Sequence, residues 1–313
     1  MPVENRFPVF TVFTPTFNRV RTLHRVYESL CAQSFRDFEW LIIDDGSTDD
    51  TGEMVKQWIS EADFQIRYFW QENQGKHIAF NHGVQEARGA LFLPLDSDDG
   101  CVPNALERFK YHWDNLSAAE QQAFSAVTAL CMEENGQMVG SKFPRDIFDS
   151  DSLEIQYKYR IKGEKWGFHR TEVLRCFPFP AIPGVKFMPE GMVWSAIARR
   201  YKTRFVNDVL RIYYQNGEQQ GCEQLTQSSS AGKHAVSLML WHRSILNEEL
   251  DWFRYAPTRF FISAIHYSRF SFHAGEGIFD HIRKLKRPLG IVLYLSGLPV
   301  GCLAYMHDAK RKY

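Results

Sequence analysis

The chain has 313 residues, 44% of them hydrophobic and 24% charged, the balance of a globular protein with one large domain or a domain and an added subdomain. Lys+Arg and Asp+Glu number 37 each, so no global field draws it to nucleic acid, and any charge-driven contact must come from local patches. Its six cysteines (Cys31, Cys101, Cys131, Cys176, Cys222, Cys302) are scattered, with no Cys-x-x-Cys pair and no partnered His spacing, which argues against a zinc site or a disulfide framework.

Met1–Arg6 shows no signal-peptide pattern and runs directly into a strand, so a cytoplasmic chain is expected. That strand is Val9–Thr14, followed by a turn at Pro15–Arg19 and by Val20, Leu23, Tyr27, Leu30 and Cys31 at helical spacing. Phe38–Ile43 predicts a second strand ending at Asp44-Asp45-Gly46-Ser47, and Ser47 with Asp50 has capping-box spacing for a helix over 50–60. Ile66–Trp70 is a third strand, and after the loop Gln71–Gly75 a helix is expected near 76–88. A strand over 90–95, a helix from Pro103 to about Trp113 and a strand at Ala126–Met132 follow. This alternation predicts an α/β fold with a mostly parallel, Rossmann-like sheet covered by helices on both faces.

Leu91-Phe-Leu-Pro-Leu-Asp-Ser-Asp-Asp99 is the most informative stretch. An apolar run ends in Asp96, Asp98 and Asp99, and unpaired burial of so much charge would cost several kcal/mol or more, so the cluster belongs at the strand's open end. Closely spaced carboxylates there suit a hard divalent cation such as Mg²⁺, with substrate phosphates supplying further oxygens, and equally suit a solvated, helix-capping loop after a strand. In parallel sheets ligands bind beyond the carboxyl ends of the strands. The polar loops Thr14–Arg19, Asp44–Thr51 and Asp96–Asp99 should therefore meet on one rim.

Beyond residue 136 the pattern loosens, then Pro189-Glu190-Gly191 opens a helix through Arg200. Thr203–Val206 and Val209–Tyr214 read as strands, Gly217–Ser230 as a polar loop near the acceptor side, and 233–285 as helical and rich in aromatics.

Taken together, Thr14-Pro-Thr-Phe-Asn-Arg19, Asp44-Asp-Gly-Ser-Thr-Asp49, Asn73-Gln-Gly-Lys-His77 with Asn81, Leu95-Asp-Ser-Asp-Asp99 and Pro189-Glu190 resemble, in order and spacing, the motifs of family 2 glycosyltransferases. The resemblance covers residues 8–215, roughly two thirds of the chain. It implies a GT-A fold over 1–215, with a nucleotide-sugar-binding half (1–135) and an acceptor-binding half (136–215), then a C-terminal helical extension (216–313). It also implies an inverting transferase that moves a sugar from a nucleotide-sugar donor, with UDP preferred, to a glycan or lipid-linked acceptor, as in bacterial surface-polysaccharide synthesis.

By this resemblance Asp98 and Asp99 hold the metal, Mg²⁺ or Mn²⁺, Asp99 being favoured for direct coordination. Asp96 and Asp98 assist at the ribose or a metal-bound water. Asp45 reads the base, Thr14, Pro15 and Thr16 line base and ribose, and Lys76 and His77 meet the diphosphate at a helix N-terminus. Glu190 is the catalytic base, since inversion needs one carboxylate to take the acceptor hydroxyl's proton. Trp166 offers an apolar face for the acceptor sugar, although a core role suits it as well.

Leu289–Met306 carries no charged residue and is flanked by Arg283, Lys284, Lys286 and Arg287 and by Lys310, Arg311 and Lys312. Gly290, Gly297, Pro299 and Gly301 interrupt it, so the favoured reading of 281–313 is an interfacial or re-entrant segment on the cytoplasmic leaflet, with an oligomer interface and a true span as alternatives. The competing functional reading is an inactive nucleotide-sugar-binding scaffold. It would lack the metal or base carboxylates, which are present here.

Overall fold

A computed structural model describes residues 7–214 and 232–310. The loop expected at 217–230, Cys222 and the last basic residues Arg311 and Lys312 lie outside the described residues. The chain divides into two compact units. The first comprises Met1–Ser152, Ile161–Phe179 and Ala196–Cys222, and the second Leu153–Arg160, Pro180–Ser195 and Glu223–Tyr313. The stretch assigned to an acceptor half, 136–215, is thus shared between them, with 153–160 and 180–195 going to the second unit.

The first unit runs β1 (Phe10–Thr16), α1 (His24–Cys31), β2 (Phe38–Asp44), α2 (Thr51–Glu61), β3 (Gln65–Trp70), α3 (Lys76–Glu86), β4 (Leu91–Pro94), β5 (Gly100–Cys101), α4 (Ala105–Asp114), α5 (Ala118–Ala123), β6 (Phe124–Glu133) and β7 (Ile147–Ser150). In chain order there follow α6 (Ser152–Tyr157), nearly all of it in the second unit, β8 (Lys165–Arg170) and α7 (Thr171–Cys176) of the first, α8 (Gly191–Ala198), whose first five residues belong to the second, and β9 (Lys202–Tyr213) of the first. All nine strands form one sheet in the order β3-β2-β1-β4-β8-β6-β9-β5, with β7 also paired to β9.

The first four neighbours, β3-β2-β1-β4, are parallel. Beyond them β8 inserts antiparallel between β4 and β6, and β9 pairs parallel with β6 and antiparallel with β5 and β7, so the sheet is mixed. Every position of β1 and β2 is buried, as expected of central strands covered on both faces. Their side chains join Phe109, Trp113, Trp166 and Phe168 in the main core. Two expectations need local correction. The strands expected at 203–206 and 209–214 are one continuous β9. Ser47 does not cap α2: its hydroxyl accepts from Asn18 N, while Asp49 accepts from the backbone N–H of Thr51 at the helix start.

The second unit is helical: α9 (Ala235–Glu248), a 3₁₀ turn (Leu250–Tyr255), α10 (Pro257–His273), α11 (Ile278–Arg283) and α12 (Pro288–Lys310). Tyr157 stacks on Phe260 and donates its hydroxyl to Glu249, tying 153–160 to these helices. Pro299 lies inside α12, which continues through it as one helix.

Candidate active site

Because β1, β2 and β4 are parallel neighbours, their carboxyl ends share one edge of the sheet, and the loops that leave them are stitched together. Asn18 N donates to Ser47 Oγ (2.8 Å), and Thr48 N donates back to Asn18 Oδ1 (2.8 Å). Arg19 N donates to Thr51 Oγ1 (2.9 Å), and its Nε reaches Ser97 Oγ (3.3 Å) in the acidic loop. Arg25 donates to the carbonyl of Asp98 (3.2 Å). The three polar loops therefore converge as their positions on a parallel sheet require.

Thr14, Pro15 and Thr16 are the last residues of β1 and are buried. Thr14 Oγ1 accepts from Trp40 Nε1 (3.0 Å), whereas the buried Thr16 hydroxyl has no partner among the described residues. Asp44 orders the turn after β2, accepting from Ser47 N (2.7 Å) and the Tyr68 hydroxyl (2.7 Å). Asp45, the residue assigned to the base, faces inward instead and is only 4% exposed. It accepts from Gln71 Nε2 (2.8 Å), Gln74 N (3.0 Å) and Gly75 N (2.7 Å), which uses most of a carboxylate's acceptor sites. Its work here is to clamp the loop that opens α3. Gly75 has φ +99°, a left-handed conformation that favours glycine, and this turn places Lys76 and His77 in the first turn of α3.

Lys76 Nζ meets Asp96 Oδ1 at 2.8 Å, joining the α3 N-terminus to the acidic loop. His77 does not share that role. It is 4% exposed, neither ring nitrogen has a hydrogen-bond partner among the described residues, and burial lowers its pKa against a smaller opposing pull from Asp45. It is neutral at pH 7 and brings no positive charge to a diphosphate, contrary to the sequence expectation.

The acidic loop divides into three different carboxylates. Asp99 is 1% exposed and accepts from Arg211 Nε (2.8 Å), from a second Arg211 nitrogen and from Tyr214 N (3.3 Å). Burial pushes it up to about 6, Arg211 pulls it down, and Asp96 and Asp98 add to the rise. Asp96 bridges Lys76 and Arg211 Nη2 (3.1 Å). Burial acts to raise its pKa, but those two cations outweigh it and hold the carboxyl well below the usual range. Asp98 is partly exposed, and its carboxylate has neither an ion pair nor a hydrogen bond among the described residues. Asp99, the residue expected to coordinate a metal directly, is a buried counter-ion of Arg211, and Asp98 is the open carboxylate of the loop.

Arg211, on β9, escaped the sequence reading, although an arginine within the apolar run Val209–Tyr214 was a usable signal. Among the described residues no three His, Cys, Asp or Glu side chains form a ready-made metal cage. One open carboxylate still fits Mg²⁺ or Mn²⁺ of the kind that draws most of its ligands from substrate phosphates and water.

Glu190 belongs to the second unit. It is exposed and immediately precedes α8, where its carbonyl accepts from Val193 N (3.0 Å) and its carboxylate accepts from Trp194 Nε1 (3.4 Å). Trp166 is overturned as an acceptor platform. It is 3% exposed, packs edge-on against Phe109 and donates its indole N–H to Pro94 O, so it is part of the core under β4.

Residues 11–141 match the family model described as Glycosyl transferase family 2. That segment belongs to the family. An uncharacterized glycosyltransferase of Rickettsia felis is 43% identical over 44% of this chain and 23% of its own length. A GalNAc(5)-diNAcBac-PP-undecaprenol beta-1,3-glucosyltransferase of Campylobacter jejuni is 30% identical over 66% of this chain and 64% of its own. The chain thus spans less than two thirds of these curated relatives. Among solved structures, S. aureus TarS 1-349 in complex with UDP-GlcNAc aligns with 95% of this chain and 91% of its own at TM-score 0.67 and 17% identity. The mannosyltransferase PcManGT of Pyrobaculum calidifontis, in complex with GDP-Man and Mn²⁺, aligns with 98% of this chain and 87% of its own at TM-score 0.52 and 17% identity. These likenesses carry the fold, a GT-A fold with a C-terminal helical region.

Proposed function

We propose that this family 2 member is an inverting glycosyltransferase that takes a sugar from a UDP-sugar and places it on a hydroxyl of a glycan or lipid-linked acceptor. The observation that carries the reading is the open carboxylate of Asp98 beside the Lys76–Asp96–Arg211 ion network, on the rim where the β1, β2 and β4 loops converge. Lys76 supplies positive charge, and the first turn of α3 supplies N–H groups, to the diphosphate that departs with the bond electrons. Mg²⁺ or Mn²⁺, held by Asp98 with donor phosphate oxygens, would neutralise the charge developing on that leaving group.

Asp96, fixed by its two cations, orients the loop and accepts from the ribose. Asp45 holds the 71–75 turn so that Lys76 stays in place. Glu190 takes the acceptor proton as the acceptor oxygen forms its bond to the anomeric carbon, and the bond from that carbon to the phosphate oxygen breaks on the opposite face. Its exposure and its place before a helix support this role. The relative named for an undecaprenol-linked substrate and a chondroitin synthase of Escherichia coli support an acceptor of this class.

The test is calorimetric titration with UDP, GDP and dTDP, with and without Mn²⁺, on the wild type and Asp98→Ala. Metal-dependent binding of UDP that the substitution removes supports the reading. Absence of binding by a folded chain would sink the site and favour the scaffold alternative.

A further inference from the structure

A helix on the surface of a soluble unit normally buries one apolar stripe and turns a polar face to water. In α12 both faces are apolar. The inner face, with Gly290, Leu293, Tyr294, Gly297 and Gly301, is buried. On the outside Leu289, Val292, Leu295, Val300, Leu303 and Met306 are 39–64% exposed. They recur every three to five positions, so they form one continuous stripe. Ser296, which interrupts it, donates its hydroxyl to Val292 O and so presents little polarity. An exposed apolar strip of this length marks an interaction surface rather than the scattered exposure of ordinary proteins.

The charge around the stripe says what covers it. Residues 233–313 hold twelve Lys/Arg against six Asp/Glu, and two of those acids, Glu249 and Asp308, are engaged inside the unit by Tyr157 and by Arg269 and His273. Arg283-Lys-Leu-Lys-Arg287 leads into α12. Beside it lies an open cleft of about 430 Å³ lined by Arg243, Arg283, Lys284 and Lys286, with Glu248 as its acid. Arg243 has no ion pair among the described residues. Arg283, Lys284 and Lys286 pair with Asp280, Glu276 and Glu248, and the Lys286 and Arg283 pairs are well exposed and easily exchanged.

We propose that this face docks on an anionic lipid bilayer. The helix lies in the plane of the interface, its outer stripe reaches the acyl boundary, and the basic cleft takes lipid phosphates. A span is disfavoured by what α12 is packed on. A Cβ on Gly297 or Gly301 would come within 3.1 Å of Ile265 or 2.7 Å of Ser268, so the helix is seated closely on α10. That partner carries Arg259 and Arg269, and Arg269 is bidentate to Asp308 of α12. A second copy of the chain is disfavoured because a two-fold contact through the stripe would bring together two basic clusters of like sign.

This surface does not depend on the transfer chemistry and is tested without it. The intact chain is floated with vesicles of phosphatidylcholine alone and of phosphatidylcholine mixed with phosphatidylglycerol. Binding to the mixed vesicles about tenfold or more tighter than to the neutral ones, released by high salt, is expected. Val292→Glu/Leu303→Glu and, separately, Arg243→Glu/Lys286→Glu should each weaken it about tenfold or more, with circular dichroism and thermal unfolding unchanged. Failure of the folded wild type to float with either vesicle overturns the proposal. So does a concentration-dependent dimer that Leu303→Glu dissolves, or retention of the chain in membranes after carbonate extraction.

Discussion

At the residue scale, the acidic loop shows that adjacent carboxylates are not interchangeable. Asp99 and Arg211 are a buried pair 112 positions apart in the chain, and breaking such a pair typically costs about 3–5 kcal/mol because one charge is left without a partner. Arg211→Ala should therefore lower the unfolding free energy by about that amount in urea titrations. Joint replacement by apolar residues, Arg211→Met with Asp99→Leu, should recover much of it. Asp98→Ala should leave stability nearly unchanged, since that carboxylate holds no other group among the described residues, and yet remove metal-dependent nucleotide binding. A loss of several kcal/mol in Asp98→Ala would assign it a structural role instead. Glu190→Gln removes a proton acceptor while keeping size, so kcat should fall about 10²–10⁴-fold with nucleotide affinity unchanged. Parallel turnover and calorimetric measurements separate the two effects.

At the scale of elements, local pattern in the sequence sufficed wherever local pattern sets the structure. The strands at 38–43 and 66–70 and the helices near 50–60 and 76–88 lie within a few residues of β2, β3, α2 and α3, because hydrophobic period and Gly or Asp punctuation fix them. The loops that leave β1, β2 and β4 could be expected to converge for the same reason. What depends on distant pairing was not legible. The antiparallel insertion of β8 turned Trp166 into core, and β9 delivered Arg211 to the acidic loop; neither pairing has a signature near those residues. The inward turn of Asp45 depends on backbone N–H groups of a loop 29–30 positions away, which no spacing rule reveals. Seating of α12 on α10 is likewise a tertiary matter, and it yields its own prediction. A Cβ on Gly301 would lie 2.7 Å from Ile265 O and Ser268, so Gly301→Val should destabilise the helical unit by about 1–3 kcal/mol, read as an earlier thermal transition. An unshifted transition would show that α12 is not closely packed on α10.

For the whole molecule, buried histidines set how stability depends on pH. In the α/β unit His77 and His112 are pushed below the ordinary histidine value, chiefly by burial, and burial takes His169 down to about 4. In the helical unit burial does the same to His266 and His281 and, with His266 adding a like charge, takes His242 down to about 3. Such a histidine is neutral in the folded chain while the unfolded chain takes up a proton near 6.5. Stability is therefore fully present above that value and is lost as the pH falls towards the folded pKa, at about 1.4 kcal/mol per pH unit for each group. Asp99 opposes this between about 6 and 4, since burial makes it take up its proton in the folded state first. It offsets one histidine among several, so the chain should be markedly less stable at pH 5 than at pH 7. His242 makes the argument specific: its ring stacks on His266 and Phe270 and its Nδ1 faces Ser263 Oγ at 3.3 Å, with no carboxylate partner among the described residues to favour the charged form. His242→Phe keeps the stack and removes the titration. Urea unfolding of the two chains across pH 4.5–7 should give a slope for the helical transition lower by about 1.4 kcal/mol per pH unit in the variant, and equal slopes would show that His242 is protonated in the folded protein.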